Sequence, residues 1–192
     1  MTRLPRRVSP WLLALTLVGG ASGLLGGPAA TPIKLSDGFS LFPSRITLQL
    51  NDGITVDRPI DVTAPLGMVP DGNSQRPRLT LSGVGSIGTI SSEITYGQVG
   101  AGTAQRLEIV ATNAGSKLTI SGQIKAPTGQ TTASNLLING GNGGTGAVGL
   151  TNTTNNFTGG VLVVNGTLLL TGNVPTSGAS LVGTGGTLAI AD

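Results

Sequence analysis

From Ser44 onward the chain returns to one short pattern: branched apolar residues spaced by two, Thr often between them, and a Gly soon after. It occurs as "ITLQLNDG" at 46, "LTLSG" at 79, "LTISG" at 118, "LLLTG" at 168 and "LAIAD" at 188. Period-two alternation puts Ile46, Leu48 and Leu50 on one face, and likewise Leu79 with Leu81, Leu118 with Ile120, Leu168 with Leu170, and Leu188 with Ile190. The opposite face carries mainly Thr, Gln, Leu and Ala, the mark of strands with one buried side. Between them stand clusters such as "NGGNGGTG" at 139 and "VPTSG" at 174, where Gly, Asn and Pro break strands. No segment of ten or more residues carries a helical period, so the body is expected to be all-β.

Two all-β architectures fit this pattern. An Asn-Gly pair, Asn165 and Gly166, lies between "VLVV" and "TLLLT", which is the strongest short-range hairpin signal and points to an antiparallel sandwich. Against it, Leu168 and Leu188 occupy equivalent places in "NGTLLLTG" and "GGTLAIAD", 20 residues apart. Coils of that length, none able to bury its apolar face alone, are what a parallel β-helix stacks. The wider spacings, 39 residues from Leu79 to Leu118 and 50 from Leu118 to Leu168, then correspond to about two coils each. The β-helix is the preferred reading.

Three Arg, an apolar stretch from Trp11 to Val18 and a run of small residues make residues 1–30 a predicted signal peptide, cut between Ala21 and Ala30. A membrane anchor is the alternative, but about 8 strongly apolar residues fall well short of the ~20 that span a bilayer. Absence of Cys excludes a lipoprotein anchor. The β-helix domain is therefore placed at 31–192, with no integral membrane anchor after cleavage.

Composition sharpens the picture in two ways. The 32 Gly follow no three-residue period, which excludes collagen and suits a fold made of many tight turns. The net charge of +3 comes from Arg3, Arg6 and Arg7; the remaining chain holds 8 basic against 8 acidic residues. A balanced body has no electrostatic footprint for nucleic acid. Without Cys or His, disulfides, thiol nucleophiles, imidazole bases and structural zinc are excluded.

"TNTTNNFTGGVLVVNGTLLLTG", residues 151–172, resembles the passenger-associated transport repeat, or autotransporter-associated beta strand repeat. That family joins a Leu-rich Thr/Gly strand, an N-x-[YF]-T-G-G segment, a second strand and G-T-L. Asn155, Asn156, Phe157, Thr158, Gly159 and Gly160 supply the central segment here, and Gly166, Thr167 and Leu168 the closing one. The likeness covers about 148–190, in one good copy, with Val161 and Leu162 standing where the family more often has Thr. It implies a right-handed parallel β-helix on an exported bacterial protein, often an autotransporter passenger, and implies no catalytic residues.

Candidate chemistry is sparse. The G-x-G-x-x-G matches at Gly83, Gly85, Gly88 and at Gly141, Gly143, Gly146 are followed by strand and turn sequence, not by the helix a dinucleotide site requires. "GGNGGTGAV" has no Asp to serve as a calcium ligand. Asp52, Asp57, Asp61 and Asp71 gather with Arg58, Arg76 and Arg78, as the carboxylates and bases of β-helix polysaccharide lyases do. Their places beside Gly and Pro favour solvated turn residues, the Arg paired with nearby acids. Phe39, Phe42, Tyr96 and Phe157 are too few for a sugar-binding stripe, and Phe157 is expected in the coil interior or over its turn. The N-x-Thr sites at Asn152, Asn156 and Asn165 read as turn residues.

The expected function is that of an exported bacterial structural or adhesive β-helix protein, secreted or at the outer surface, without catalytic, cofactor-binding or metal-binding residues and without a cofactor. Two alternatives are a β-helix polysaccharide lyase or hydrolase and a truncated piece of a longer autotransporter-type protein. Expected partners are cell-surface or polysaccharide contacts and a second copy of the chain, self-associating through the coil that contains Leu188 and Ile190.

Overall fold

The computed structural model describes residues 14–17, 32–34, 47–64, 77–99, 106–140, 144–173 and 181–190. Among these there are fifteen strands and no helix, and every strand pairing is parallel. The chain is a parallel β-helix with three faces. Face one stacks β1 (Ala14–Leu17), β3 (Thr47–Leu50), β6 (Arg78–Leu81), β9 (Arg106–Ala111) and β12 (Asn135–Ile138). Face two stacks β4 (Thr55–Val56), β7 (Ile87–Ile90), β10 (Lys117–Ile120) and β13 (Ala147–Leu150), and face three stacks β2 (Ile33–Lys34), β5 (Ile60–Ala64), β8 (Ile94–Gln98) and β11 (Ile124–Lys125). Two ten-residue strands, β14 (Val161–Leu170) and β15 (Leu181–Ile190), run through faces one and two without interruption.

Alternation decides which side chains fill the tube. In β3, β7 and β10 alternate residues are buried, and the same ring position recurs from coil to coil as Leu48, Leu79, Ile109, Ile138 and Val163. Each is buried to within 2% of completely, so the interior is a set of stacked aliphatic columns. Tyr96 and Phe157 add an aromatic pair in the core, with ring centroids 6.1 Å apart and planes tilted by 51°. The interior placement expected for Phe157 is what the structure has.

Asn165 and Gly166 do not make a hairpin. Gly166 has φ +64°, and a Cβ there would lie 2.4 Å from the Gly146 carbonyl oxygen and 2.5 Å from Asn139 Nδ2. The pair is a bend that carries one strand from face one onto face two. Leu168 is paired with Leu188, so the 20-residue period is one coil. The 50 residues from Leu118 to Leu168 are two coils, through Val148. The 39-residue spacing needs correction: Leu79 pairs with Ile109, 30 residues on, whereas Leu118 belongs to face two. It is one coil and a step to the next face. Ala14–Leu17, inside the expected signal segment, pairs with β3 in the register Leu15 to Leu48 and Leu17 to Leu50.

Candidate functional site

On face two β7 and β10 show the alternation of a half-solvated sheet, but face one is buried on both sides at β6, β9 and β12. Its outward positions include Arg78, Glu108 and Leu137, in one lateral row, and Thr80 and Val110 in the next. Arg78 donates to Glu108 Oε2 from Nε at 2.8 Å and from Nη2 at 2.6 Å, and the two residues are only 7% and 1% exposed. Part of the cover comes from the backbone at Asn139 and Gly140, just after β12. A Cβ on Gly140 would sit 2.7 Å from Glu108 Oε1 and 2.5 Å from Leu137 Cδ2, so a side chain there would have to displace both. Asn139, at φ 50°, holds this backbone: its Oδ1 accepts from the Ala111 N–H at 2.8 Å, and its Nδ2 donates to the Gly146 carbonyl at 2.8 Å.

The Arg78–Glu108 pair is therefore shut away from any substrate. Two buried charges cost several kcal/mol each to desolvate, and the pair recovers that only through close, well-directed hydrogen bonds. Glu108 Oε1 accepts no hydrogen bond among the described residues. Nothing about the sequence neighbourhood of Arg78 links it to Glu108, because the pairing depends on a 30-residue coil. The expectation that this Arg meets an acid on a solvated face is corrected: its carboxylate is distant in sequence and both groups are buried.

Farther along face one is a shallow groove of about 280 Å³ between Arg106, Asn135, Leu137, Gly160 and Leu162. Arg106 is exposed and in register with Asn135, whose Oδ1 accepts from the Gly160 N–H at 2.8 Å. A guanidinium and an amide over a Leu floor offer hydrogen-bond donors but neither a nucleophile nor a proton carrier. These residues carried no motif; only the stacking of three coils brings them together.

The acidic cluster disperses. Asp52 Oδ1 accepts from the Ile87 N–H at 2.8 Å, bracing a turn across two coils, and Asp61 Oδ1 accepts from the Thr63 N–H at 2.9 Å. Asp57 is exposed after β4, Arg58 follows it half-buried, and Arg78 is committed to Glu108; Asp71 and Arg76 lie outside the described residues. No group of three or more potential metal-ligating side chains is present among the described residues. Of the Gly-rich matches, Gly83 and Gly85 are in the turn before β7 and Gly88 is within it, while Gly141 and Gly143 lie outside the described residues.

Polar side chains elsewhere serve the coil. Asn155 Oδ1 accepts from the Ile124 N–H at 2.9 Å and its Nδ2 donates to the Asn173 carbonyl at 2.8 Å, so one side chain joins three successive coils. Asn152 accepts from the Thr154 N–H at 2.8 Å and donates to the Ser121 carbonyl at 3.0 Å. The Tyr96 hydroxyl donates to the Ser134 carbonyl at 2.7 Å, and burial pushes its ionisation far above the usual phenol range. Lys125 and Glu93 form a half-exposed pair at 2.7 Å on face three.

Comparison of the chain with protein-family models, with curated proteins and with solved structures found no match. The fold defines a parallel β-helix whose described polar groups are engaged mainly in holding coils together.

Proposed function

We propose that this chain is an exported bacterial surface or extracellular protein with a structural or adhesive role, of the autotransporter-passenger kind its 148–190 segment resembles. One observation carries the reading. Asp52, Asn139 and Asn155 each make a side-chain hydrogen bond to a backbone group of a neighbouring coil. Such a chain invests its polarity in a rigid stack, and a solenoid presents extended lateral surfaces for contact with other molecules. The groove beside Arg106 and Asn135 is the place proposed for a cell-surface or polysaccharide contact.

Export is tested by expressing the whole chain in a Gram-negative host, fractionating the cells and sequencing the N-terminus of the exported material. The expected result is a chain starting between residues 22 and 31 in the periplasm or medium. Chain that keeps Met1 and stays with the membrane would refute the export part of the proposal. Adhesion is tested by coating beads with the purified chain and measuring binding to bacterial cells, with Arg106→Ala expected to lower it; binding no better than to uncoated beads would refute that part.

A further inference from the structure

The groove on face one lies in the middle of the stack, on strands that are each paired on both sides: β9 with β6 and β12, β12 with β9 and β14, and β14 with β12 and β15. One lateral row along it is Arg106, Asn135 and Gly160, in which the side chain shortens from a guanidinium to an amide to a hydrogen. Leu137 and Leu162 are partners in the next row. Asn135 Oδ1 is taken by the Gly160 N–H at 2.8 Å, so what the amide has left is its NH2 group. Neither that group nor the exposed Arg106 guanidinium donates to another described residue.

Charge, shape and size together select a ligand. Arg106 is the one charged side chain lining the groove, and Glu108, two residues along the same strand, is bound to Arg78. A guanidinium fork with an amide NH2 one strand spacing away, ~4.8 Å, suits a planar oxyanion. A single positive charge matches a carboxylate, whereas a phosphate monoester, at about −1.5 to −2, would stay partly unpaired. At about 280 Å³ the groove is at the foot of the ~300 to 1,000 Å³ range of small-molecule sites, so it holds one unit of a larger ligand. Leu137 and Leu162 offer that unit an apolar surface to lie on. A peptide carboxyl terminus fits less well, because strands paired on both sides leave no edge for a peptide backbone to join.

We propose that this groove binds the carboxylate of a uronic acid unit in an acidic polysaccharide. Arg106 takes the carboxylate through paired N–H groups, Asn135 Nδ2 donates to a ring or hydroxyl oxygen beside it, and the C–H face of the sugar lies against Leu162 and the edge of Leu137. With neither a nucleophile nor a proton carrier among these residues, the groove holds the unit without cleaving it. The inference rests on reading the groove as a polysaccharide contact and names the class of sugar.

The test follows the whole chain by affinity electrophoresis through gels containing polygalacturonate or alginate, at neutral pH and in ~0.1 M salt to damp long-range attraction. Retardation is expected with a polyuronate, and it should be about tenfold weaker for Arg106→Ala and for methyl-esterified polygalacturonate, which keeps the ring and loses the charge. Arg106→Lys should recover only part of it, since lysine keeps the charge but not the fork. Lys117→Ala, which removes an exposed cation from face two, should bind as the parent does. Circular dichroism checks that each variant keeps the fold, as the exposure of both positions leads one to expect. No retardation by either polyuronate would overturn the proposal, as would an ester bound as tightly as the acid or a Lys117→Ala chain weakened as much as Arg106→Ala. Stronger retardation by polyphosphate, or a leucine-terminated peptide that displaces the polymer as well as free galacturonate does, would overturn it too. Arg106-dependent adhesion of coated beads to cells without uronate binding would refute this inference alone; selective uronate binding without bead adhesion would refute the adhesive reading alone.

Discussion

The Arg78–Glu108 pair offers the most discriminating test of how face one is built. Replacing Arg78 by Met leaves the Glu108 carboxylate at 1% exposure without its two guanidinium donors, and replacing Glu108 by Leu takes from the Arg78 guanidinium, at 7% exposure, the carboxylate that accepts both of these bonds. A buried charge that loses its partner typically costs ~3 to 5 kcal/mol, because solvation cannot replace what was removed. Changing both together removes two desolvation penalties and keeps aliphatic volume, so the double variant R78M/E108L should fall within ~1 kcal/mol of the parent. The expected coupling between the two positions is thus several kcal/mol, far above that of an exposed pair such as Lys125–Glu93, at ~0 to 1 kcal/mol. Urea melts followed by circular dichroism, with the four members of the cycle sharing one slope, give these differences from shifts in midpoint. Single variants that each cost under ~1 kcal/mol, or a double variant as unstable as the sum of the singles, would refute the argument that this face is a dry interior.

Three further outcomes follow from particular contacts. Leu168 is 1% exposed in an inward column whereas Leu169 is half-buried on the outer side, so Leu168→Ala should cost ~2 to 5 kcal/mol and Leu169→Ala much less in the same melts; equal losses would reject the assigned facing. Gly166→Ala forces a side chain into a left-handed φ and against the Gly146 carbonyl, so it should cost at least ~1 to 2 kcal/mol, and a neutral result would show that the bend is not fixed. Because Tyr96 holds its proton far more tightly when folded than the ordinary 10.0, its contribution is complete below pH 10 and declines as pH rises beyond it, by up to about 1.4 kcal/mol per pH unit. Tyr96→Phe should flatten that alkaline decline while lowering stability by ~1 to 3 kcal/mol at neutral pH, where the Ser134 carbonyl loses its buried donor; an unchanged alkaline slope would remove Tyr96 as its origin.

Several features were legible in the residues alone. The spacing of Leu48 with Leu50 and of Leu118 with Ile120 specified strands and the side each buries, since successive side chains of a strand point oppositely whatever it pairs with. The 20-residue echo between Leu168 and Leu188 specified the shortest coil, because equal coils place identical positions over one another. A longer echo was there to be found in "GSIGTISSEI" at 85 and "GSKLTISGQI" at 115, whose 30-residue offset is the register of β7 on β10 and β8 on β11. Also readable was the likeness of "ALTL" at 14 to "TLQL" at 47 and "RLTL" at 78, three consecutive strands of face one.

What only the tertiary structure decided is whatever depends on which coil lies beside which. Asn165 and Gly166 allow either a reversal or a bend, and it is the partner strands on both sides, β13 and β15, that impose the bend. Arg78 meets Glu108, Arg106 meets Asn135, and Asp52 braces Ile87 across 30, 29 and 35 residues of chain. No local propensity encodes such contacts; they arise because stacking brings positions one coil apart to within a strand spacing of ~4.8 Å. The outward side of face one reads from its sequence as a solvated surface, yet Glu108, Val110 and Leu137 are buried there, and the backbone at Gly140 and Gly144 lies against those side chains.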